Sequence, residues 1–446
     1  MRDRERSVRI VGLGEDRTLT MRTSALLRYG LAASAPGTAA AAQFLLQLAL
    51  LRFVDSAAFG QFAFILGLVQ FGFGLSNALI STPYTVSING PTFEPRQALS
   101  FFAVNLLFAA GWGVVCGGAA ALLGARHEAW LFGLLAFLAM IRWFGRADLY
   151  ALHRPIQAAA SDLVYSLALV VALAGACLVG LSLTMGALTV CFATIAGIVA
   201  LGSSFIAKQF QQVWAGSLRD YGAVWREQSR WTLLGVVSSE ATANAHAYAV
   251  TLWAGPAAFA PIAAASLFVK PVALALTSLT QLERPAMARF LTIGDLPAAL
   301  RAVRRFRAAS VGVWAVTVAV GVVVLAWYPH LMFKTSYDLE SLSIAFSLWA
   351  LISLLQCWSM PSSVLLQAAQ WFRPLARWGV ICAVMAIAAV LALVVMAAPI
   401  YSLIGIVLGQ IAINVSMVVL ELRLARSHVG AAAPDPMSFT STSPIL

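Results

Sequence analysis

Long apolar blocks fill most of the chain, each near the roughly 20 residues a helix needs to cross a hydrocarbon core about 30 Å thick. They lie near 31–51, 59–82, 98–124, 129–151, 161–181 and 184–207, then near 231–254, 257–281, 308–328, 341–364, 378–398 and 401–422. Lipid gives a backbone no hydrogen-bond partner outside its own helix, so each block predicts a spanning helix. The expected fold is all-α integral membrane, with about twelve transmembrane helices.

Two polar stretches between the blocks have helical periodicity of their own. In 208–230, Phe210, Val213, Trp214, Leu218, Tyr221 and Trp225 recur every three or four residues, with Lys208, Arg219, Arg226 and Arg230 off that stripe. This predicts a helix lying in the membrane interface. In 296–307, Arg301, Arg304, Arg305 and Arg307 crowd a short amphipathic stretch suited to anionic headgroups.

An internal echo accompanies this symmetry. Ala57-Ala58-Phe59 follows the first block and Ala257-Ala258-Phe259 the seventh, and each opens a helix that runs toward a proline, Pro83 or Pro285. The expected organisation is therefore two six-helix bundles related by an internal repeat. The chain divides into an N-terminal tail (1–30), a first bundle (31–207), the interfacial linker (208–230), a second bundle (231–422) and a C-terminal tail (423–446). The first tail lacks the apolar region of a cleavable signal, and the last residues have the composition of a disordered segment.

Composition agrees with the pattern: 61% of the residues are hydrophobic and 11% charged. The net charge of +11 is spread as single basic residues at helix ends, which excludes a nucleic-acid-binding patch. Of the 29 Lys and Arg, 25 fall on the side that holds both tails, and only Arg52, Arg126 and Lys334 on the other. Short loops rich in Lys and Arg stay cytoplasmic, so a multi-pass protein of the inner (plasma) membrane with both termini in the cytoplasm is expected. All five cysteines fall within predicted spans without metal-ligand spacing, and no metal or cofactor is expected.

Ionisable residues inside spans are costly and usually face a cavity or a partner. Lys270 is the remaining basic residue and sits in the eighth span, while Glu240 sits in the seventh. Counted from the turn near Gly255, the two lie about fourteen and fifteen residues deep, so at about 1.5 Å per residue their depths nearly coincide. Two readings stay open, an ion pair that fixes two helices or a shared cavity wall. Asn244 lies one turn beyond Glu240 on the same face. Arg142 and Arg146 are one turn apart at the inner end of the fourth span, near Arg154, with Asp148 as a possible balancing charge. Gln43, Gln47, Asn77 and Asn105 lie within spans and suit either a cavity lining or bonds between helices. Pro36-Gly37, Pro271 and Pro361 are candidate helix breaks.

Three stretches resemble one family. They are Arg52-Phe53-Val54-Asp55-Ser56-Ala57-Ala58-Phe59-Gly60-Gln61-Phe62, its echo Trp253-Ala254-Gly255-Pro256-Ala257-Ala258-Phe259 with Lys270-Pro271 and Arg284-Pro285 beyond it, and Arg142-Trp143-Phe144-Gly145-Arg146-Ala147-Asp148-Leu149-Tyr150-Ala151 running on to Arg154-Pro155 and Ser161-Asp162-Leu163-Val164-Tyr165. The chain resembles the polysaccharide branch of the multidrug/oligosaccharidyl-lipid/polysaccharide flippase superfamily over about residues 28–425. The resemblance implies a flippase that moves a polyprenyl-diphosphate-linked oligosaccharide, the repeat unit of O-antigen or exopolysaccharide, from the inner to the outer leaflet by alternating access. It implies polysaccharide polymerase and export machinery as partners besides membrane lipids.

With such a cargo, Lys270 would meet the diphosphate and Glu240 would hold Lys270 or exchange a proton. Asn244 would hydrogen-bond sugar, and Arg142, Arg146 and Arg154 would gather the headgroup at the cytoplasmic entrance. The multidrug branch carries an acid in its first helix, and none lies between Gly30 and Leu51 here. The alternatives are a multidrug or cation antiporter of the same fold and a membrane glycosyltransferase or polymerase. The last is disfavoured by short external loops and by the lack of a DxD pair or Gly-rich phosphate loop.

The orientation predicts that cysteines introduced at 208–230 or 296–307 are shielded from an impermeant thiol reagent in intact cells, while those beside Arg126 or Lys334 react. Labelling of the first pair in intact cells would reverse the topology.

Overall fold

In the computed structural model, residues 37–88, 95–215, 218, 221–329 and 338–432 are described, and among them no strand is present. The predicted N-terminal tail and the loop holding Lys334 lie outside the described residues. Among the described residues, fourteen helices of 13 residues or more carry the fold. The first seven are α1 (Gly37–Phe53), α2 (Ser56–Ile88), α3 (Pro95–Leu122), α4 (Ala129–Ala151), α5 (Pro155–Val179), α6 (Leu183–Val199) and α7 (Ser203–Ala215). The others are α8 (Arg230–Ala254), α9 (Pro256–Phe268), α10 (Lys270–Thr292), α11 (Leu296–Trp327), α12 (Leu339–Ala368), α13 (Phe372–Met396) and α14 (Ser402–Ala432).

Eight of these are long and apolar enough to cross a membrane alone, and the spans number ten when the bent pairs α6–α7 and α9–α10 each count as one. The short α1 and the polar α8 occupy the two remaining predicted positions. The chain is thus an all-α membrane protein of about twelve helices. Its outer surface agrees: Val114, Leu122, Leu178 and Met396 are 76%, 88%, 90% and 85% exposed, a cost that water would impose and lipid does not.

Local sequence explains where helices start. Asp55, Ser182 and Asp295 accept hydrogen bonds from the amides of Ala58, Met185 and Ala298, capping α2, α6 and α11. Asp338 caps α12, and bonds from the Ser341 hydroxyl and the Ser341 and Glu340 amides hold its carboxyl below the usual range. The predicted basic stretch 296–307 is not a separate element but the first turns of α11. There Ala302, Val303 and Phe306 are buried and Arg301, Arg304 and Arg305 exposed. The linker helix begins at Ser203, five residues before the predicted start, and turns 96° from α6. The side chains of Val213 and Trp214, predicted for its apolar stripe, lie outside the described residues.

The described residues form two compact units, 37–240 with 254–263, and 241–253 with 264–329 and 338–432. The division falls within α8 rather than at the linker. In the first unit α3 packs on α4, α5 on α6, and α7 on α3. In the second, α13 packs on α14, and α10, α11, α12 and α14 enclose a core that includes Leu276, Met287, Phe306, Leu365 and Leu420.

The two echoed motifs meet inside the first unit. A Cβ placed on Gly60 would fall on the backbone carbonyl of Pro256, an atom that cannot swing aside. Gly60→Ala is therefore expected to cost about 1–3 kcal/mol through overpacking. The measurement is the thermal midpoint of the detergent-solubilised chain by fluorescence-detected gel filtration, with Gly67→Ala, where a Cβ meets nothing within 4 Å, as control.

Candidate functional site

The first unit buries a carboxylate under two guanidiniums. Arg142 and Arg146 stand one turn apart on α4, and Asp162 faces them from the second turn of α5. One oxygen of Asp162 accepts from Arg142 at 2.6 Å and pairs with Arg146 Nε at 2.9 Å, and the side chain of Asp162 is 0% exposed. Its second oxygen and the Nε of Arg142 have no hydrogen-bond partner among the described residues. The three groups leave one positive charge.

The surroundings fix their geometry. The Arg142 guanidinium lies 4.1 Å over the Tyr165 ring, whose hydroxyl accepts from Gln43 of α1 at 3.1 Å. Gly197 of α6 lies so close beneath Arg142 that a Cβ there would collide with the guanidinium, and its carbonyl accepts from Ser161. Arg146 sits over Trp143, which donates to Asn77 at 2.9 Å and stacks on Phe73 at 4.3 Å. Asn77 opens a π-helical turn of α2, Asn77–Ser81. A cavity of about 40 Å³ lies among Gln43, Gln70, Arg142, Trp143, Tyr165 and Thr194, room for a few waters at roughly 10–15 Å³ each.

A second ion pair stands two residues beyond Arg146, nearer the end of α4. Asp148 is buried, accepts from Tyr84 and receives the Lys208 ammonium at 3.1 and 3.3 Å. The acid that balances Arg142 and Arg146 is therefore Asp162, and Asp148 instead ties α4 to α7. The second unit has a pair of its own, Arg307 to Glu421 at 2.9 Å, with Ser362 bonded to both.

The residues singled out from the sequence are divided between the units. Arg142, Arg146, Arg154 and Glu240 belong to the first, Asn244 and Lys270 to the second. Arg154 is exposed at the start of α5, while Arg142 and Arg146 are drawn inward by Asp162. Glu240 is half-buried, and its Cγ lies 3.2 Å from where a Cβ on Gly74 of α2 would sit. Lys270 is the first residue of α10, at a break where the path bends by 52° from α9. Gln47 donates to the carbonyl of Gln43, and buried Asn105 has no partner among the described residues.

No protein-family model and no curated protein matches the chain. Solved structures do: an inward-facing multidrug resistance MATE family transporter of the MOP superfamily has a TM-score of 0.61 at 15% identity, over 92% of this chain and 99% of that one. An outward-facing MATE transporter gives 0.54 at 15%, over 90% and 96%. A MOP superfamily transporter from Pyrococcus furiosus, described as having a binding pocket of reversed polarity that suggests a different function, gives 0.54 at 14%, over 91% and 96%. The fold of this chain is that of the MATE transporters of the MOP superfamily.

Removing one partner of a buried ion pair leaves a charge uncompensated and costs about 3–5 kcal/mol. Asp162→Asn is expected to destabilise the chain by that order, more than Arg146→Gln, which leaves Asp162 its bond to Arg142. Adding Arg142→Gln to Asp162→Asn should recover part of the loss. Chemical denaturation monitored by tryptophan fluorescence tests both orders, and equal losses in the two single variants would contradict the shared-carboxylate geometry.

Proposed function

We propose that the chain is an alternating-access transporter of the inner membrane, with both termini cytoplasmic, that flips a polyprenyl-diphosphate-linked oligosaccharide. The observation that carries the reading is the break before α10. It puts an ammonium, Lys270, and a helix N-terminus at one point inside a predicted span. Half-helix N-termini in broken transmembrane helices favour anionic groups, because their free amides and aligned dipoles carry positive charge. A diphosphate fits that chemistry better than an organic cation does.

In this reading Lys270 meets the diphosphate, Asn244 bonds sugar, and Glu240 exchanges a proton. Arg142 and Arg146 hold their positive excess within the first unit, and Arg154 gathers headgroups at its surface. The resemblance to repeat-unit flippases and the lack of an acid between Gly30 and Leu51 support the same cargo class. Polysaccharide polymerase and export proteins are the partners it calls for.

A second reading, a multidrug or cation antiporter, draws support from the fold it shares with multidrug resistance MATE transporters. Glu240 would then be the cation-binding group.

Deletion of the gene distinguishes the two. For the flippase, surface polysaccharide falls and polyprenyl-diphosphate oligosaccharide accumulates on the cytoplasmic leaflet. Unchanged polysaccharide with raised drug sensitivity would favour the antiporter. Complementation with Lys270→Arg should restore more transport than Lys270→Gln, since charge matters more than shape for a mobile anion. Full transport by a normally expressed Glu240→Gln/Lys270→Met double variant would remove Lys270 from the mechanism.

A further inference from the structure

The second unit contains a cavity of about 450 Å³ between α10, α12, α13 and α14. That volume falls within the range of small-molecule sites, about 300–1,000 Å³. Its polar lining is Thr277, Gln356, Ser359, Ser363, Gln410 and Ser416, and none of its lining residues is ionisable. A cavity of this kind within a membrane protein offers hydrogen bonds without charge.

The donors and acceptors are not used up internally. Thr277, Ser359 and Ser416 donate to carbonyls of their own helices, at 2.9, 3.1 and 2.7 Å; Ser416 also pairs with the Cys382 thiol at 3.6 Å, while Thr277 and Ser359 keep lone pairs for other donors. Ser363 accepts from Gln367. The carboxamides of Gln356 and Gln410 make no hydrogen bond among the described residues, so each keeps two donors and an acceptor for an occupant. Burying unpaired amides costs free energy unless something in the cavity meets them. Met360 and Met417 contribute apolar wall.

Alternating donors and acceptors beside apolar surface match a pyranose ring, whose hydroxyls both donate and accept and whose C–H faces are apolar. A lipid tail would leave the carboxamides unmet, and an organic cation would find no acid. We propose that this cavity is a saccharide subsite in which Gln356 and Gln410 hydrogen-bond the ring hydroxyls.

Lys270 gives the subsite a direction. On α10, Lys270, Ala273 and Thr277 are spaced three and four residues apart, and the last two line the cavity. At about 1.5 Å per residue the ammonium begins the same face about 4.5 Å before Ala273 and about 10 Å before Thr277. A sugar bearing its diphosphate on the anomeric carbon spans such a step, with the anion toward Lys270 and the ring in the cavity. This orientation rests on the flippase reading, whereas recognition of the saccharide itself does not.

The test uses the full chain in detergent, with methyl glycosides of glucose, galactose and N-acetylglucosamine and a mixture of disaccharides as probes. Saturation-transfer NMR reads binding, and tetraphenylphosphonium serves as the cationic competitor. At least one glycoside or disaccharide should bind and resist displacement by the cation. Gln356→Leu with Gln410→Leu, which keeps size and removes the carboxamides, should weaken binding at least tenfold while the chain stays monodisperse. Absence of binding by every probe, equal binding by a well-folded double-Leu variant, or displacement by tetraphenylphosphonium would each overturn the subsite. Saccharide binding in a chain whose deletion leaves surface polysaccharide unchanged would sink the flippase reading and keep the subsite. Normal flipping by the double-Leu variant would do the reverse.

Discussion

Every backbone amide that enters hydrocarbon has to find its partner within the chain, because lipid offers none. Most of this molecule obeys the rule with straight helices, so its exceptions are informative. Three of them are the π turn at Asn77–Ser81, the 96° bend between α6 and α7, and the break between α9 and α10. Each exception adjoins a polar side chain. Asn77 binds Trp143, Lys208 beyond the bend binds Asp148, and Lys270 opens the helix after the break. Irregular backbone at membrane depth persists only where protein or a wet cavity satisfies it, so these points mark where the two units depart from plain packing.

Buried charge obeys the same constraint with larger energies. Asp162, Asp148 and Glu421 each have a basic partner within their own unit, which makes them fixed parts of the scaffold. Fixed pairs are poor handles for a moving cargo, since a cargo group would have to displace a partner already in place. Lys270 and the carboxamides of Gln356 and Gln410 are not committed in that way among the described residues. A transporter needs such groups, whose bonds are completed only when cargo is present and released when it leaves.

The helices were legible in the sequence because hydrophobic length is a strong signal, and α4 matches its predicted bounds of 129–151. The buried charges were less so, for a reason that lies in helix ends. Asp162 stood at the edge of a span read as 161–181, where a charge at the headgroups is ordinary. The helix starts at Pro155, with that proline at its first position, and this carries Asp162 two turns inward. Arg307 was assigned to a cytoplasmic stretch for the same reason, since α11 begins at Leu296. The signal that would have found Asp162 was present in Arg154-Pro155, a helix start in polar context. Partnership was not legible at all: Arg142 and Arg146 are twenty and sixteen residues from Asp162 along the chain, and only the packing of α4 against α5 brings them together.

Glutamines 356 and 410 illustrate a limit of another kind. Neither is ionisable, so neither stands out by the cost of burying charge, and a lone Gln in an apolar helix is commonly a bond between neighbours. Their meaning comes from convergence, because α12 and α14 bring both carboxamides to a cavity in which no lining residue carries charge. Under the proposed function, the cationic break before α10 and the uncharged cavity further along that helix divide the work that a charged sugar derivative requires. The first answers a formal charge and is sensitive to ionic strength, whereas the second reads shape and hydroxyl pattern and is not. A drug-selective interior would reverse that division, with an acid at the polar position and an aromatic or aliphatic wall in place of the carboxamides. Under the proposed function, cargo choice in this chain rests on a few side chains at these two places, which the fold it shares with MATE transporters does not determine.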